Sequence, residues 1–353
     1  MGKLAVYKYF SFLFLIATFA IAVFTIFGLY GGSVPPAGNA ARALLVYVLP
    51  IFIIANVVML IYWAIRRRWK WMPIPLLTIA FCIPYMGTLY QFGSQDKSID
   101  AKAGVKIATY NVAMFGRETT GFIAQDILAE MRRQKVEVLC LQEYNERSGD
   151  QINSENYKEY FPHMAKGRDD MMIFSRHPIT QSKTIDFELT NNSAMWADID
   201  INGRIVRVFN VHLETTGLNR TLRKAAKLQM QGFQVENNRL LSAIYGNYTM
   251  GMVIRSGQAE VVAREIQKTK GAHIVCGDFN DVPYSYVYNT MLGNMVDGFK
   301  ECGHGFMYTF RGGRQKMVRI DYIFHDQSLK GLDYYKYDLT YSDHFPVFMK
   351  LEI

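Results

Sequence analysis

Two hydrophobic rhythms divide the chain. Up to Phe92 apolar residues run on almost unbroken, and residues 10–30, 43–65 and 71–92 each exceed twenty positions without a charged side chain. A helix crossing the hydrocarbon core needs ~20 predominantly apolar residues, so the pattern predicts three transmembrane helices over those stretches. Pro73, Pro75 and Pro84 interrupt the third; membrane helices tolerate such breaks better than soluble ones. Residues 93–104 are polar and read as a linker. Beyond them, short β-branched or apolar runs alternate with helical stretches. Strands are predicted at 105–110, 136–142, 171–174, 204–211, 273–276, 320–324 and 345–351, and helices at 122–135, 222–245 and 258–270. Several strands are too apolar for a sheet with one wet face. The expected class for 105–353 is therefore α/β, with buried sheets covered by helices.

Charge sharpens the division. The first 92 residues contain no Asp or Glu. Lys3 and Lys8 precede the first apolar stretch, Arg66, Arg67, Arg68 and Lys70 follow the second, and the first loop carries only Arg42. Basic loops stay cytoplasmic, which predicts a multi-pass protein of the cytoplasmic membrane with a cytoplasmic N-terminus and, after three crossings, an extracytoplasmic C-terminal domain. A signal peptide cleaved near Asn39-Ala40-Ala41, followed by two crossings, leads to the same side. The formal net charge of +8 suggests a nucleic-acid partner only until it is located. Seven of the 39 basic residues precede residue 93 with no acid to offset them, so the remainder carries 32 basic against 31 acidic groups. The charge is a topology signal, with a lipid bilayer as the implied partner and no protein partner evident. Cys82, Cys140, Cys276 and Cys302 are too sparse for a disulfide framework and lack CxxC spacing. Cys140 and Cys276 lie inside predicted strands and read as small buried hydrophobes.

The candidate chemistry sits where strands end. IATYN ends in Asn111, VLCLQE in Glu143 and VFNVH in His212; IVCGDFN carries Asp278 and Asn280, RIDY carries Asp321, and SDH supplies Asp343 and His344. One Asn or Asp after a strand is ordinarily a turn residue, and His163, His177, His273, His304 and His325 read as surface or structural histidines. Polar, metal-competent residues at successive strand ends are a different pattern, because a rigid scaffold can project them into one site. Together these motifs resemble the endonuclease/exonuclease/phosphatase superfamily over residues 105–353, GDFN and SDH being the most specific pieces.

That resemblance implies a four-layer αββα sandwich, DNase-like, and a metal-dependent phosphoric ester hydrolase. It implies Glu143 as the principal Mg²⁺ ligand, with Asn111 and Asp343 completing or supporting the metal site and Mn²⁺ as a substitute ion. Asp278 matches the residue that deprotonates the attacking water, Asn280 the amide that holds a phosphate oxygen, and His212 and His344 the imidazoles that donate to the phosphate. Asp321 matches the carboxylate that orients His344. Substrate choice stays open among phospholipid-type phosphoesters, which tethering to the bilayer favours, DNA or RNA cut by an extracytoplasmic nuclease, and no substrate at all in a binding protein on the same fold. Tyr308, Phe310, Arg311 and Arg314 would serve nucleic acid. Arg168-Asp169-Asp170 departs from the small residues expected there. Arg220, Arg223, Lys224 and Lys227 form a basic strip that reads more readily as the polar face of a surface helix than as a contact for substrate or membrane.

Overall fold

The structure is a computed structural model that describes residues 3–93, 103–117, 122–144, 154–168, 171–188, 190–231, 236–311 and 318–353. Most of the expected linker, Asp169, Asp170 and Arg314 lie outside the described residues, as do the side chains of Arg220 and Arg223. The chain divides into two compact units, residues 1–88 together with 282–289, and residues 89–281 together with 290–353.

In the first unit, α1 (Lys3–Leu29) and α2 (Ala40–Ile65) are long, apolar helices with mean hydropathies of 2.6 and 2.8 over their candidate spans. Polar groups join them across an otherwise apolar seam. Asn56 Nδ2 donates to Thr25 Oγ1 at 2.7 Å, and Trp63 Nε1 donates to Thr18 Oγ1 at 3.0 Å. Large apolar side chains such as Phe12, Ile16, Ile51 and Ile54 point away from the pair and are exposed. The third expected helix is not there. Residues 71–92 form α3 (Pro73–Phe81) and a separate turn of helix, α4 (Ile83–Met86). At 1.5 Å per residue α3 rises only ~13 Å, against a hydrocarbon core of ~30 Å. Pro84 explains the break, since it has no N–H to donate and its ring clashes with the carbonyl four residues back. Two helices, not three, are long and apolar enough to cross a membrane among the described residues.

The second unit is built on β1 (Tyr90–Gln91), β2 (Val105–Asn111), β3 (Val138–Gln142), β4 (His163–Lys166), β5 (Met171–Ser175), β6 (Ile179–Asp186), β7 (Ser193–Ile201), β8 (Arg204–His212), β9 (His273–Asp278), β10 (Val296–Asp297), β11 (Gly305–Phe306), β12 (Asp321–His325), β13 (Lys330–Lys336) and β14 (Val347–Glu352). They make two six-stranded sheets, ordered β13-β14-β2-β3-β5-β4 and β10-β12-β9-β8-β7-β6, and a small β1-β11 pair. Each large sheet has one parallel pair near its centre, β2 with β3 and β8 with β9. The sheets stack face to face on a shared core that includes Ile107, Cys140 and Ile173 from one and Val208, Cys276 and Ile323 from the other. Both cysteines are thus buried hydrophobes, as expected. On the outer face of the first sheet, α5 (Phe122–Arg133) packs Ala124, Ile127 and Met131 in one cluster with Tyr110, Leu139 and Leu141, joined by Tyr157 of α6 (Ser154–Tyr160).

Between β8 and β9 the chain forms α7 (Leu218–Met230) and α8 (Asn237–Gln267). The expected helix at 222–245 is therefore two helices, and the expected helix at 258–270 is the end of a longer one. Gly246, Gly251 and Gly257 lie inside α8. At Gly251 a side chain would meet Thr215 O at 2.7 Å, so glycine there lets a loop approach the helix. The buried second half of α8, with Ala259, Val262 and Ile266, carries Glu265, which pairs with Lys183 of β6 at 3.2 Å. Strand β7 escaped the sequence reading because aspartates interrupt its apolar run. Asp198 is accommodated opposite Arg207, whose guanidinium meets both carboxylate oxygens at 2.7 and 2.8 Å.

Candidate active site

Strand parity puts the polar residues in one place. Side chains alternate across a strand, so the row 107-109-111 on β2 faces the other sheet, as do 138-140-142 on β3, 206-208-210-212 on β8 and 274-276-278 on β9. Each row starts apolar and ends polar. The polar ends of the two parallel pairs meet at one edge of the sandwich, with His212 in register beside Asp278, and Asp321 of β12 opposite Asp278 on its other side. Gly277 makes this approach possible. Its φ is 135°, and a Cβ there would lie 2.0 Å from Val211 O on β8.

Asp278 is the hub. It is 1% exposed, and its Oδ2 accepts from Asn111 Nδ2 at 3.0 Å while its Oδ1 accepts from the backbone N–H of Asn280 at 2.8 Å. His344 Nε2 lies 3.6 Å and His212 Nε2 4.0 Å from Asp278 Oδ2. Burial, reinforced by the nearby Asp321 charge, pushes the Asp278 carboxyl up to about 6 against the pull of His344, His212 and Asn111. Glu143 follows β3 in a left-handed conformation, φ 52°, with a third of its side chain exposed. Its Oε1 accepts from Asn111 Nδ2 at 3.2 Å and lies 3.9 Å from His212 Nε2. Asn280, also left-handed at φ 52°, donates from Nδ2 to Leu213 O at 2.9 Å.

His344 is held on three sides. Its Nδ1 lies 3.0 and 3.1 Å from the two oxygens of Asp321, its ring packs on Phe310 at 4.8 Å between centroids, and its backbone N–H donates to Ser342 Oγ at 3.1 Å. Burial alone would favour a neutral ring, but Asp321 and Asp278 outweigh it and hold the imidazolium up to about 10. Asp321 is itself fixed by its backbone N–H donating to Thr309 Oγ1 at 3.0 Å. Asp343 is placed differently. It is exposed, its carbonyl accepts from Arg311 N–H at 2.8 Å, and among the described residues no hydrogen bond or ion pair ties its carboxylate to the others.

The structure therefore brings together Asn111, Glu143, His212, Asp278, Asn280, Asp321 and His344, and leaves Asp343 at the rim. It also adds residues the sequence reading missed. Gln142 Nε2 on β3 donates to Asn210 Oδ1 on β8 at 2.6 Å, and Asn210 Nδ2 donates to Leu141 O at 2.9 Å, clamping the sheets directly behind the site. A polar residue ending each apolar strand row was the available signal. Buried Arg255 on α8 donates from Nε to Asp281 Oδ2 at 3.1 Å and from Nη1 to Glu214 O at 2.8 Å, tying down the chain just after Asn280 and just after His212. In RIDY, Arg319 pairs with Asp297 at 2.9 Å, and Tyr322 Oη lies 2.8 Å from Asp281 O. No pattern in the sequence pointed to those partners. The candidate nucleic-acid contacts among the described residues are engaged internally: Arg311 pairs with Asp338 at 3.1 Å and lies over Phe345, Phe310 packs on His344, and Tyr308 packs under Lys336.

Asp278, Asp321 and His344 offer ligand atoms within 4.8 Å of one another, all buried. Asp321 spends both oxygens on His344, so this trio is better suited to holding a proton than an ion. Glu143 is the more open carboxylate, and with the Asn111 amide beside it the donor set fits a hard divalent cation, which prefers oxygen ligands and keeps several waters. Asn111 turns its NH₂ to Glu143 and Asp278 and its Oδ1 to the Ala113 N–H at 3.0 Å, so ligation through its oxygen requires the amide to turn over.

Comparison with known proteins agrees with this geometry. A family model described as the endonuclease/exonuclease/phosphatase family matches residues 108–344, and one described as a domain of unknown function matches residues 11–89. No match was found among curated proteins. Among solved structures, humanized D. rerio TDP2 carrying 14 mutations gives a TM-score of 0.53 at 17% identity, covering 71% of this chain and 100% of its own. D. rerio TDP2 complexed with a single-strand DNA product gives 0.52 at 16% over the same shares. An endonuclease/exonuclease/phosphatase from Bacteroides vulgatus gives 0.50 at 17%, again over 71% and 100%. At these identities the likeness is one of fold. The family match, in contrast, runs through the strand-end residues from Asn111 to His344, and the chain belongs to the endonuclease/exonuclease/phosphatase family.

Proposed function

We propose that the chain is a membrane-anchored, divalent-metal-dependent phosphoesterase whose substrate is a phospholipid-type phosphodiester. The family's chemistry is phosphoester hydrolysis. One observation carries the catalytic reading: a buried carboxylate, Asp278, faces two imidazoles at 3.6 and 4.0 Å, one of them backed by Asp321. Asp278 accepts the proton of the attacking water, a role its raised carboxyl suits because a base titrating near neutrality combines ionisation with proton affinity. His344, kept as imidazolium, donates from Nε2 to a phosphoryl oxygen as charge grows on it, and His212 donates beside it. Asn280 orients the phosphate through its amide. Glu143 and Asn111 would hold Mg²⁺ or Mn²⁺, with Asp343 in reach only as support from the rim; the ion supplies electrostatic stabilisation of phosphoryl and leaving oxygens.

The anchor is the α1–α2 hairpin, whose outward apolar side chains suit lipid. Two crossings keep residues after Ile65 on the same side as the N-terminus. Lys3, Lys8 and Arg66 to Lys70 flank the hairpin at both ends, which favours the cytoplasmic side for the soluble unit. The extracytoplasmic placement expected from three crossings loses its third helix. Anchoring favours lipid over nucleic acid by raising the effective concentration of membrane substrates. A nuclease is the second reading, supported by the fold shared with a protein solved with a single-strand DNA product.

The test is hydrolysis by the full chain in detergent with Mg²⁺, comparing phosphatidylglycerol, sphingomyelin, plasmid DNA and RNA, with Glu143→Ala and Asp278→Asn alongside. The expected result is lipid phosphodiester cleavage that falls at least ~10²-fold in both variants. Plasmid cleavage at a higher rate, lost in the same variants, would replace the lipid reading by the nuclease one. Asp278→Asn retaining a tenth of wild-type turnover would remove its assigned role.

A further inference from the structure

The α7–α8 arm is out of keeping with the rest of the second unit. From Leu240 to Ile254 the chain carries no charge. Such a run is too short to span a bilayer and suits a buried core helix or a segment lying in the membrane interface. It is not buried. Leu241 is 63% exposed, Tyr245 54% and Met250 65%, and on α7 Met230 is 88% and Leu222 40% exposed. Only from Gly251 onward does α8 settle onto the sheet. Scattered exposed apolar residues need no explanation, but a concentration of them on one projecting pair of helices marks an interaction surface.

Charge indicates what covers it. Across residues 218–254 the basic residues are Arg220, Arg223, Lys224, Lys227 and Arg239, against Glu236 alone, whereas residues 93–353 as a whole are nearly neutral. Lys224 and Lys227 are exposed on α7, one face of which packs Ala225 out of solvent. Thr221 Oγ1, one turn earlier, accepts from Asn247 Nδ2 at 2.9 Å, which seats α7 on α8. Arg239 is exposed and paired with Glu236 at 3.0 Å. Basic groups beside exposed Leu, Tyr and Met, with little opposing charge, are the composition of helices that lie in the interface of an anionic bilayer.

We infer that the α7–α8 arm is an interfacial device that lies on an anionic bilayer, its apolar residues in the headgroup boundary and its lysines among lipid phosphates. This rests on the anchored reading above, which brings the bilayer within reach, but does not depend on the substrate. The arm is also mechanically joined to the site. Arg255, on the same helix as Leu241 and Tyr245, bonds Asp281 and the Glu214 carbonyl, so lipid contact would be felt at the loops that hold Asn280 and follow His212.

The experiment uses the full chain in liposomes. Leu241→Cys, in a Cys302→Ser background because the other three cysteines are buried, carries an environment-sensitive nitrobenzoxadiazole label. Vesicles are phosphatidylcholine alone or with one third phosphatidylglycerol, each with and without brominated acyl chains. The expected result is blue-shifted emission quenched by bromolipid in the anionic vesicles and weak quenching in the neutral ones. Replacing Lys224 and Lys227 by Gln should lower interfacial partition roughly 30-fold, from ~1 kcal/mol for each lysine. Emission that stays at the aqueous position in anionic vesicles overturns the inference. So does a blue shift that tracks protein concentration rather than lipid composition, which assigns the surface to a second copy, or one produced only by adding an oligonucleotide. Flotation with vesicles of either composition reports the α1–α2 anchor separately, so its failure is not confused with failure of the arm.

Discussion

Replacing Asp321 by Asn isolates one electrostatic relationship in the site. The ordinary imidazole titrates near 6.5, and His344 is held up to about 10, which at ~1.4 kcal/mol per tenfold corresponds to roughly 5 kcal/mol of preference for the imidazolium. Burial works against that preference, and of the two carboxylates that overcome it Asp321 is the larger contributor and Asp278 the smaller. An opposite charge in contact moves a titration by ~1–3 pH units, so His344 should titrate at roughly 7–9 in the variant. The sign follows for stability as well. A raised imidazole contributes stability that is fully present below the unfolded value near 6.5 and is lost as pH rises through about 10. Asp278, raised from 3.8 to about 6, runs with the same sign: the fold favours its protonated form, and that contribution disappears as pH rises through about 6. Catalysis by an ionised Asp278 beside a charged His344 thus has a window from about 6 to about 10, and the variant narrows it from above. Lowering the pH toward 6–7 should restore much of the variant's activity, because His344 regains its proton at roughly 7–9 while Asp278 stays ionised down to about 6. The assay is hydrolysis of bis-p-nitrophenyl phosphate by the full chain from acid to alkaline pH, with nitrogen NMR of His344 in metal-free protein. The expected loss at pH 8 is up to ~10-fold, set by the uncharged fraction of a ring that titrates at roughly 7–9, with the alkaline limb shifted down by ~1–3 pH units. An alkaline limb unmoved from that of the wild type, with His344 still titrating near 10, would refute the reasoning.

Three further outcomes follow from the packing. Gly277→Ala should yield no folded second unit, since its Cβ would lie 2.0 Å from Val211 O at a φ that L-residues avoid; wild-type resistance to limited proteolysis would contradict this. Arg255→Met removes one member of a buried ion pair and should lower stability by ~3–5 kcal/mol in urea unfolding, with reduced turnover from the loosened Asn280 loop. Asn56→Val should weaken the α1–α2 pair by ~1 kcal/mol, read as an earlier midpoint in unfolding of the full chain by dodecyl sulfate, and leave hydrolysis by the second unit unchanged.

Much of the site was legible because strand parity is local. The apolar rows that end at Asn111, His212 and Asp278 repeat every second residue, and that period alone puts each polar terminus on the face its apolar neighbours bury. Glu143 and Asn280 were legible as motif members, although their left-handed backbone was not. The partners of Arg255, Arg319 and Asn210 were hidden, because each pairs with a residue tens of positions away whose proximity depends on tertiary packing: a helix against a loop for Arg255, neighbouring strands of one sheet for Arg319, and the stacking of two sheets for Asn210.

The sequence by itself determined the division into an acid-free apolar region and a nearly neutral α/β region, the order of the strand-end motifs and the family they resemble, because composition and period-two patterning are written residue by residue. Tertiary structure decided the rest. It broke the third apolar stretch at Pro84, carried one helix through three glycines, left Asp343 at the rim while gathering six other residues around Asp278, and left the α7–α8 arm uncovered. Each of these depends on which distant surface a segment meets, and a chain carries that information only jointly, in the packing of all its parts.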